Sequence, residues 1–481
     1  MSRIELLAPL LLTAAVAAQD PARPQPLRIG NVLPQATVFA PGLGSNSETG
    51  IGALIPWADR LWAIGYVAHV RGEGIGLYSM GEDLVLEKHA ASVTGTFANR
   101  LVHWESGQVF IGPHAIAADG TVRTIETLGK QRLTATARHL VDPKGKVYFL
   151  TMEGLLFEVE VTTLAATQLA DLTSVLELPK GAQPHFKGAF CAQGRVVVAN
   201  NTYEEPEYLG TRAAGRLAEW DGTSWRILEW NPFVEVSGKQ NPRAGARYGN
   251  TLHALGWDRA SVILRVLHDG RWLRYRLPKG SLAFDHTWNT EWMRIREVQT
   301  ERYLMDAFGT FYELPSMIYG GHLAGLRPIA NHLRICPDLV TWRGLLVLAG
   351  DQTDNAVGQP QSGLWFGHLD ELWSWGKPSG SGAVWWKERV AQGAVSDPFL
   401  MNGFENKVVH LAARTESGEP APAEFVLEVD FLGDGEWHEY ARLRVPPSGY
   451  AHHEFERGFA AQWIRVRAAT ACIATVSFVY S

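Results

Sequence analysis

The sequence predicts an all-β chain folded as a seven-bladed β-propeller with a C-terminal antiparallel β module. Three observations predict it. Short β-branched and aromatic runs recur at a near-constant spacing. Turn residues interrupt the chain about every 8–12 residues. No segment holds a helical apolar period over helical length; 390–401, the best candidate, carries Gly393 and Pro398.

The elements follow in chain order. Residues 1–18 read as a secretory signal: Arg3 supplies the positive start, Leu6 to Val16 the apolar stretch, and Ala15-Val-Ala-Ala18 the small residues before cleavage. The apolar stretch falls short of the roughly 20 residues a membrane span needs. A secreted or periplasmic protein, with no membrane insertion after cleavage, is the expectation. Residues 19–44 read as a Pro-rich linker and an N-terminal strand. The repeating runs start at Arg60, Gln108, Lys146, Gly194, Thr251, Arg302 and Gly344. A period of about 40–50 residues with three or four strands each is the pattern of propeller blades. Residues 45–404 are assigned to the propeller; the repeats are degenerate, so six and eight blades stay open as alternatives. Residues 405–481 read as six further strands, either closing the ring or forming a small sandwich beside it.

Composition narrows the function. The net charge of -6 argues against a nucleic-acid partner, which needs a basic face. The three cysteines, Cys191, Cys336 and Cys472, are far apart and form no CxxC pair. Their odd number leaves at least one free thiol, and stability must come from burial. No G-x-S-x-G, H-E-x-x-H, P-loop or dinucleotide fingerprint occurs. Asp351, Asp354 and Asn355 offer oxygen ligands for calcium, though a solvated loop is the plainer reading. Trp373 and Trp375 read first as blade packing, with a sugar platform as the alternative.

The remaining chemistry is scattered His, Arg and Tyr beside the apolar runs: His69, Arg100, His103, His114, His139, His185, Lys187, Arg216, Arg247, Tyr248, Asp285 and His286. Each taken singly reads more simply as a hydrogen-bonded structural residue. Glu291 with Arg294 or Arg296 reads as a cross-strand pair. Together the set suits removal of a proton beside a uronate carboxylate. That reaction needs a cation on the carboxylate and a His or Tyr to move the proton. A glycosidase would want two convergent carboxylates, and no such pair stands out.

Ser47–Trp62 resembles a run near the start of the secreted seven-bladed propeller lyases, among them ulvan lyases and rhamnosyl-glucuronate lyases acting on arabinogalactan caps. Gly95–Arg100, Arg132–His139, Gly194–Asn201, Trp288–Arg296, Leu364–Gly367 and Ser448–His453 are similar to further stretches of that family. The resemblance runs from about Leu43 to the C-terminus and argues for family more than for substrate. It implies a central pocket in which two His, one Tyr and one Arg carry a β-elimination on a uronate-containing, rhamnose-linked glycan. The His fall on His114 and His139, and the Arg on Arg216. The Tyr falls on Phe190, which has no proton to exchange; Tyr203, Tyr208 or Tyr248 would have to replace it, with Tyr248 taken as catalytic. Arg100, His185, Lys187 and Arg247 are expected to bind substrate. The resemblance also admits a bound calcium. It keeps two alternatives open: a propeller glycoside hydrolase with His69 as a weak candidate, and a non-catalytic glycan-binding propeller, which Phe190 favours. The expected partner is an anionic polysaccharide or oligosaccharide met by a monomer.

Overall fold

The computed structural model describes residues 31–32, 49–67, 75–202, 215–239, 250–281, 291–316, 318, 320–350 and 363–481. Residues 1–18, His69, Tyr203, Tyr208, Arg247, Tyr248, Asp285, His286, Asp351, Asp354 and Asn355 lie outside the described residues.

The chain is all-β and has the sheet pattern of a propeller. Consecutive antiparallel strands form four-stranded sheets: Thr49–Trp57 to Leu86–Lys88, Arg100–His103 to Val122–Thr124, Leu133–Arg138 to Ala166–Asp171, and Phe186–Ala192 to Trp225–Glu229. Phe233–Gly238 to Arg271–Leu277 and Arg294–Gln299 to Arg327–Asn331 continue the series. The last of the series takes Leu339–Trp342, Leu345–Ala349 and Leu364–Gly367. It gains its fourth strand from the N-terminus, where Asn31 and Val32 pair with Phe366 and Trp365. The first strand of each sheet touches the first strand of the next, and Leu339–Trp342 touches Thr49–Trp57. These first strands are therefore the inner ones.

The seven apolar runs of the sequence are the second strands, not the inner ones. Lys146–Thr151, Arg195–Asn200 and Leu252–Trp257 are buried almost throughout. Neighbouring sheets cover both faces of a second strand, so its sequence is unbroken apolar. The inner strands alternate instead, as in Leu133-Thr-Ala-Thr-Ala-Arg138, because one side faces the polar channel. They also crowd. A Cβ on Gly52 would lie 1.9 Å from the Phe97 carbonyl oxygen of the adjoining sheet, so only glycine fits there.

The C-terminal strands pack as two sheets. Gly380–Val390, Cys472–Tyr480, Lys407–Arg414 and Tyr450–Glu454 form one. Phe399–Leu400, Trp463–Ala468, Ala423–Asp430 and His438–Val445 form the other, which joins the edge of Arg271–Leu277 through the parallel pair Arg276 and Phe399. The fourth strand of the last sheet thus comes from the N-terminal part of the chain, and the C-terminal strands sit beside the fifth and sixth sheets. Trp463 is the anchor: its ring stacks 4.5 Å from Tyr275 and its Nε1 donates to the Leu323 carbonyl at 2.6 Å. Among the described residues no helix is long and apolar enough to cross a membrane. Cys191, Cys336 and Cys472 are all unbridged thiols.

Candidate functional site

The inner strands bring their charged residues together where they begin. Arg100 opens the inner strand of the second sheet, Lys187 is the second residue of the fourth sheet's, and Asp338 immediately precedes the seventh sheet's. Arg294 and Arg296, two residues apart, share one side of the sixth sheet's inner strand. Arg100, Thr134, Thr136, Lys187, Phe190, Glu235, Ser237, Arg294 and Arg296 line one cavity.

Its charges are arranged in a chain of contacts. Asp338 lies 2.7 Å from the Arg100 Nε and accepts hydrogen bonds from the Arg100 Nη2 at 3.2 Å, the Arg296 Nε at 2.6 Å and the Leu54 backbone N–H at 2.8 Å. Arg296 continues to Glu235 at 2.7 Å, and Arg294 stands 3.6 Å from the same carboxylate. Lys187 donates to Glu291 at 2.7 Å, and the His185 ring lies 3.6 Å from Glu291 on its other oxygen. Among the described residues, four strong cations (Arg100, Lys187, Arg294, Arg296) face three carboxylates, an excess of one positive charge.

Burial governs these groups. It disfavours the Asp338 carboxylate, but Arg100 and Arg296 outweigh it and hold the acid below its ordinary range. Burial also lowers Arg100 to about 10 against the pull of Asp338, and raises Glu235 against that of Arg296. The cavity measures about 60 Å3, well under the roughly 150 Å3 void that holds a benzene ring. A carboxylate tip or a few waters fit; a sugar ring does not.

The expected substrate-binding residues therefore meet in part. Arg100 and Lys187 line one cavity, and Glu291 ties His185 to Lys187. Of the expected catalytic residues, His114, His139 and Arg216 do not line that cavity, and Tyr248 lies outside the described residues. His114 opens a third strand; its ring is fully buried, with Nδ1 3.0 Å from the Thr124 hydroxyl, and burial drives its pKa down to about 4. His139 follows an inner strand at its far end. Its Nδ1 accepts the Asp142 N–H at 2.8 Å, so the proton is on Nε2, which donates to Glu158 at 2.7 Å. It is held as a loop brace and stacks on Tyr148. Arg216 opens another third strand, spends its guanidinium on the carbonyls of Leu176, Glu177 and Gly215, and stacks on Trp230 at 4.0 Å. It packs between sheets, away from the channel lining. His103 is likewise bound, to Ser106 and the Pro143 carbonyl.

Phe190, the position the resemblance assigns to Tyr, does line the cavity, with its ring against Gly238. The reading of Glu291 with Arg294 or Arg296 as one pair gives way to two separate partnerships, Glu291 with Lys187 and the arginines with Glu235 and Asp338. Glu235 and Asp338 were not singled out by the sequence.

Asp306, His332 and Cys336 each bring one ligand atom within 4.8 Å of the others. The His332 Nδ1 accepts the Arg334 N–H at 3.2 Å, which puts the ring proton on Nε2, facing Asp306 at 3.2 Å. The trio is arranged as a hydrogen-bonded cluster, and a metal at Nε2 would have to displace that proton.

No protein-family model matches the chain, and no curated protein matches it in sequence. Among solved structures, it is similar to the RRP9 WD40 repeats at 10% identity, over 70% of this chain and 99% of that one, with a TM-score of 0.40. It is similar to the Myceliophteria thermophila Cps50 (Swd1) β-propeller domain at 12% identity, over 70% and 98%, with a TM-score of 0.37. The computationally designed Ika8 protein gives 13% identity over 66% and 83%, with a TM-score of 0.36. Likenesses this low carry no argument about what the chain does.

Proposed function

We propose that the chain is a secreted seven-bladed β-propeller with a C-terminal antiparallel module, and that it binds an anionic, uronate-bearing glycan where its inner strands begin. Seven consecutive four-stranded sheets with touching inner strands support the blade count. One observation carries the binding reading: Arg100 and Lys187, from sheets two apart, line one cavity, with His185 held beside Lys187 through Glu291. The excess positive charge favours an acid, and the small volume admits its carboxylate while the sugar stays at the mouth.

A double variant, Lys187→Met with Glu291→Gln, tests this without leaving a buried carboxylate unpaired. Calorimetry with oligogalacturonate should show binding by the wild type and a loss of about tenfold or more in the variant. No binding by the wild type to any acidic glycan tried would overturn the reading.

Cleavage of that glycan by β-elimination is a second reading. It is favoured by His185 and Tyr66 at the same end, the Tyr66 ring lying 5.9 Å from the Lys187 Nζ. Lys187 would neutralise the uronate and His185, in place of His114 and His139, would take the C5 proton; the C4–O bond would break as the C4–C5 double bond forms, the leaving oxygen taking its proton from Tyr66. Elimination leaves an unsaturated uronate with new ultraviolet absorbance. Shortened glycan without that absorbance points to hydrolysis, and intact glycan points to binding alone.

A further inference from the structure

We propose a second glycan site, sized for a sugar ring, in a cleft on the outer edge of the sixth sheet. The cleft measures about 570 Å3, within the roughly 300–1,000 Å3 range of small-ligand pockets. Its walls come from three places: the ends of Arg302–Ala307, Thr310–Pro315 and Arg327–Asn331, the turn around Ala324 and Gly325, and Asn402 beside the C-terminal sheets.

Strand register builds its polar ridge. Glu313 pairs with Leu304 on one side and Arg327 on the other, while Arg302 lies two residues before Leu304. Arg302, Glu313 and Arg327 therefore stand on one face of the sheet. Arg327 donates to Glu313 at 3.0 Å, and Arg302 reaches the same carboxylate only at 3.8 Å. Two arginines sharing one half-exposed carboxylate leave guanidinium donors facing the cleft. Behind the ridge a short helical turn, Leu369–Ser374, sets Trp373 against the same residues: Trp373 shares a slot with Arg302 and Glu313, and Arg327 lies 4.7 Å from its ring. Trp373 is 42% exposed, so packing does not use it up, as the sequence reading of blade packing implies.

Two arginines and one carboxylate in a ring-sized cleft suit a sugar acid, with Trp373 outside it on the far side of the ridge. The hydroxyls would lie on Glu313 and Asn402, and the carboxylate in the forks of Arg302 and Arg327. Neither the channel residues nor the resemblance enters this site. The shared choice of an acidic glycan rests on the proposed function, and both sites on one chain would grip a long polymer at two points.

The test uses the full chain with a galacturonate tetramer and a neutral glucose tetramer as probes, in calorimetry. In the wild type the acidic tetramer should bind at two sites, and in the Lys187→Met/Glu291→Gln background one of the two should remain. Adding Arg302→Gln or Arg327→Gln to that background should weaken the remaining site by about tenfold. Arg302→Lys should recover part of the loss, and thermal unfolding should stay as in the background, since both side chains reach the surface. Persistence of full affinity in Arg302→Gln and Arg327→Gln overturns the cleft. So does loss of all binding in the channel background alone, which would leave the channel reading intact. Two sites in the wild type, one in the background and a weakened one after Arg302→Gln support both; a single site unchanged in the background and weakened by Arg302→Gln supports the cleft and counts against the channel. Tighter binding of the neutral tetramer overturns the assignment to acids.

Discussion

The channel and the outer cleft use the same pieces, two arginines converging on one carboxylate, and differ in burial. Asp338 has no exposed side-chain surface and holds Arg100 and Arg296 at 2.7 and 2.6 Å. Glu313 keeps 32% of its side chain exposed and holds Arg327 at 3.0 Å and Arg302 at 3.8 Å. In the channel the charges are out of water, so each carboxylate is held by cations at close range, and the contacts span the second, sixth and seventh sheets. The arginines there are largely committed to holding the ring. At the cleft, water satisfies the surplus donors, and a ligand can replace water at low cost. An arginine's availability is thus read from its surroundings rather than from its partner.

The largest effect should come from Asp338→Asn. It takes the carboxylate from the buried Arg100 and leaves Arg296 with Glu235 alone, and should cost about 3–5 kcal/mol in urea unfolding. A loss below about 1 kcal/mol would mean the channel pair is as dispensable as a surface one, and the comparison would collapse.

A second effect follows from acid. Burial lowers His114 from its ordinary 6.5 to about 4, and His253 to about 3. Their folded pKa values are depressed, so the unfolded chain binds more protons between those limits. The stability they contribute is complete above about pH 6.5 and is lost as pH falls toward 4. Urea midpoints measured across that window should decline, and His114→Gln should flatten the decline. An equal slope in the variant would show that His114 is not held neutral, and would reopen it as a working group.

The smallest effect should be Glu313→Gln. Its exposed pairs are worth about 0–1 kcal/mol, so the melting curve should barely move. A large destabilisation would recast the cleft as structural and sharpen the comparison against us.

The fold was more legible than the site. The seven second strands stand out because two neighbouring sheets bury them, and the strands from 408 onward fall within a residue or two of the observed Lys407–Arg414, Ala423–Asp430 and Tyr450–Glu454. That same prominence misdirects the search for the channel: the most apolar run looks central, while the strand before it lines the hole. The placement of Arg100, His185 and Lys187 was legible because each is a polar residue at or just before a strand's start. Asp338 was not, since Cys336-Pro-Asp338 reads as a turn and its partner Arg100 lies 238 residues away. Glu235 reads as the solvent side of an alternating strand, Phe233-Val-Glu-Val-Ser-Gly238. His114 and His139 lie beside strands as expected, but a sequence does not say which of four strands faces inward.

The pairing of Asn31 and Val32 with Trp365 and Phe366 has a kinetic consequence. Asn31 and Val32 wait roughly 330 residues for their partners, and the fifth sheet's edge waits for Phe399 and Leu400. During synthesis both edges remain open while the blades between them form. Closure is a late, long-range event with a high contact order, and it should set the folding rate. Until the final strands arrive, those two edges are where neighbouring nascent chains would add on.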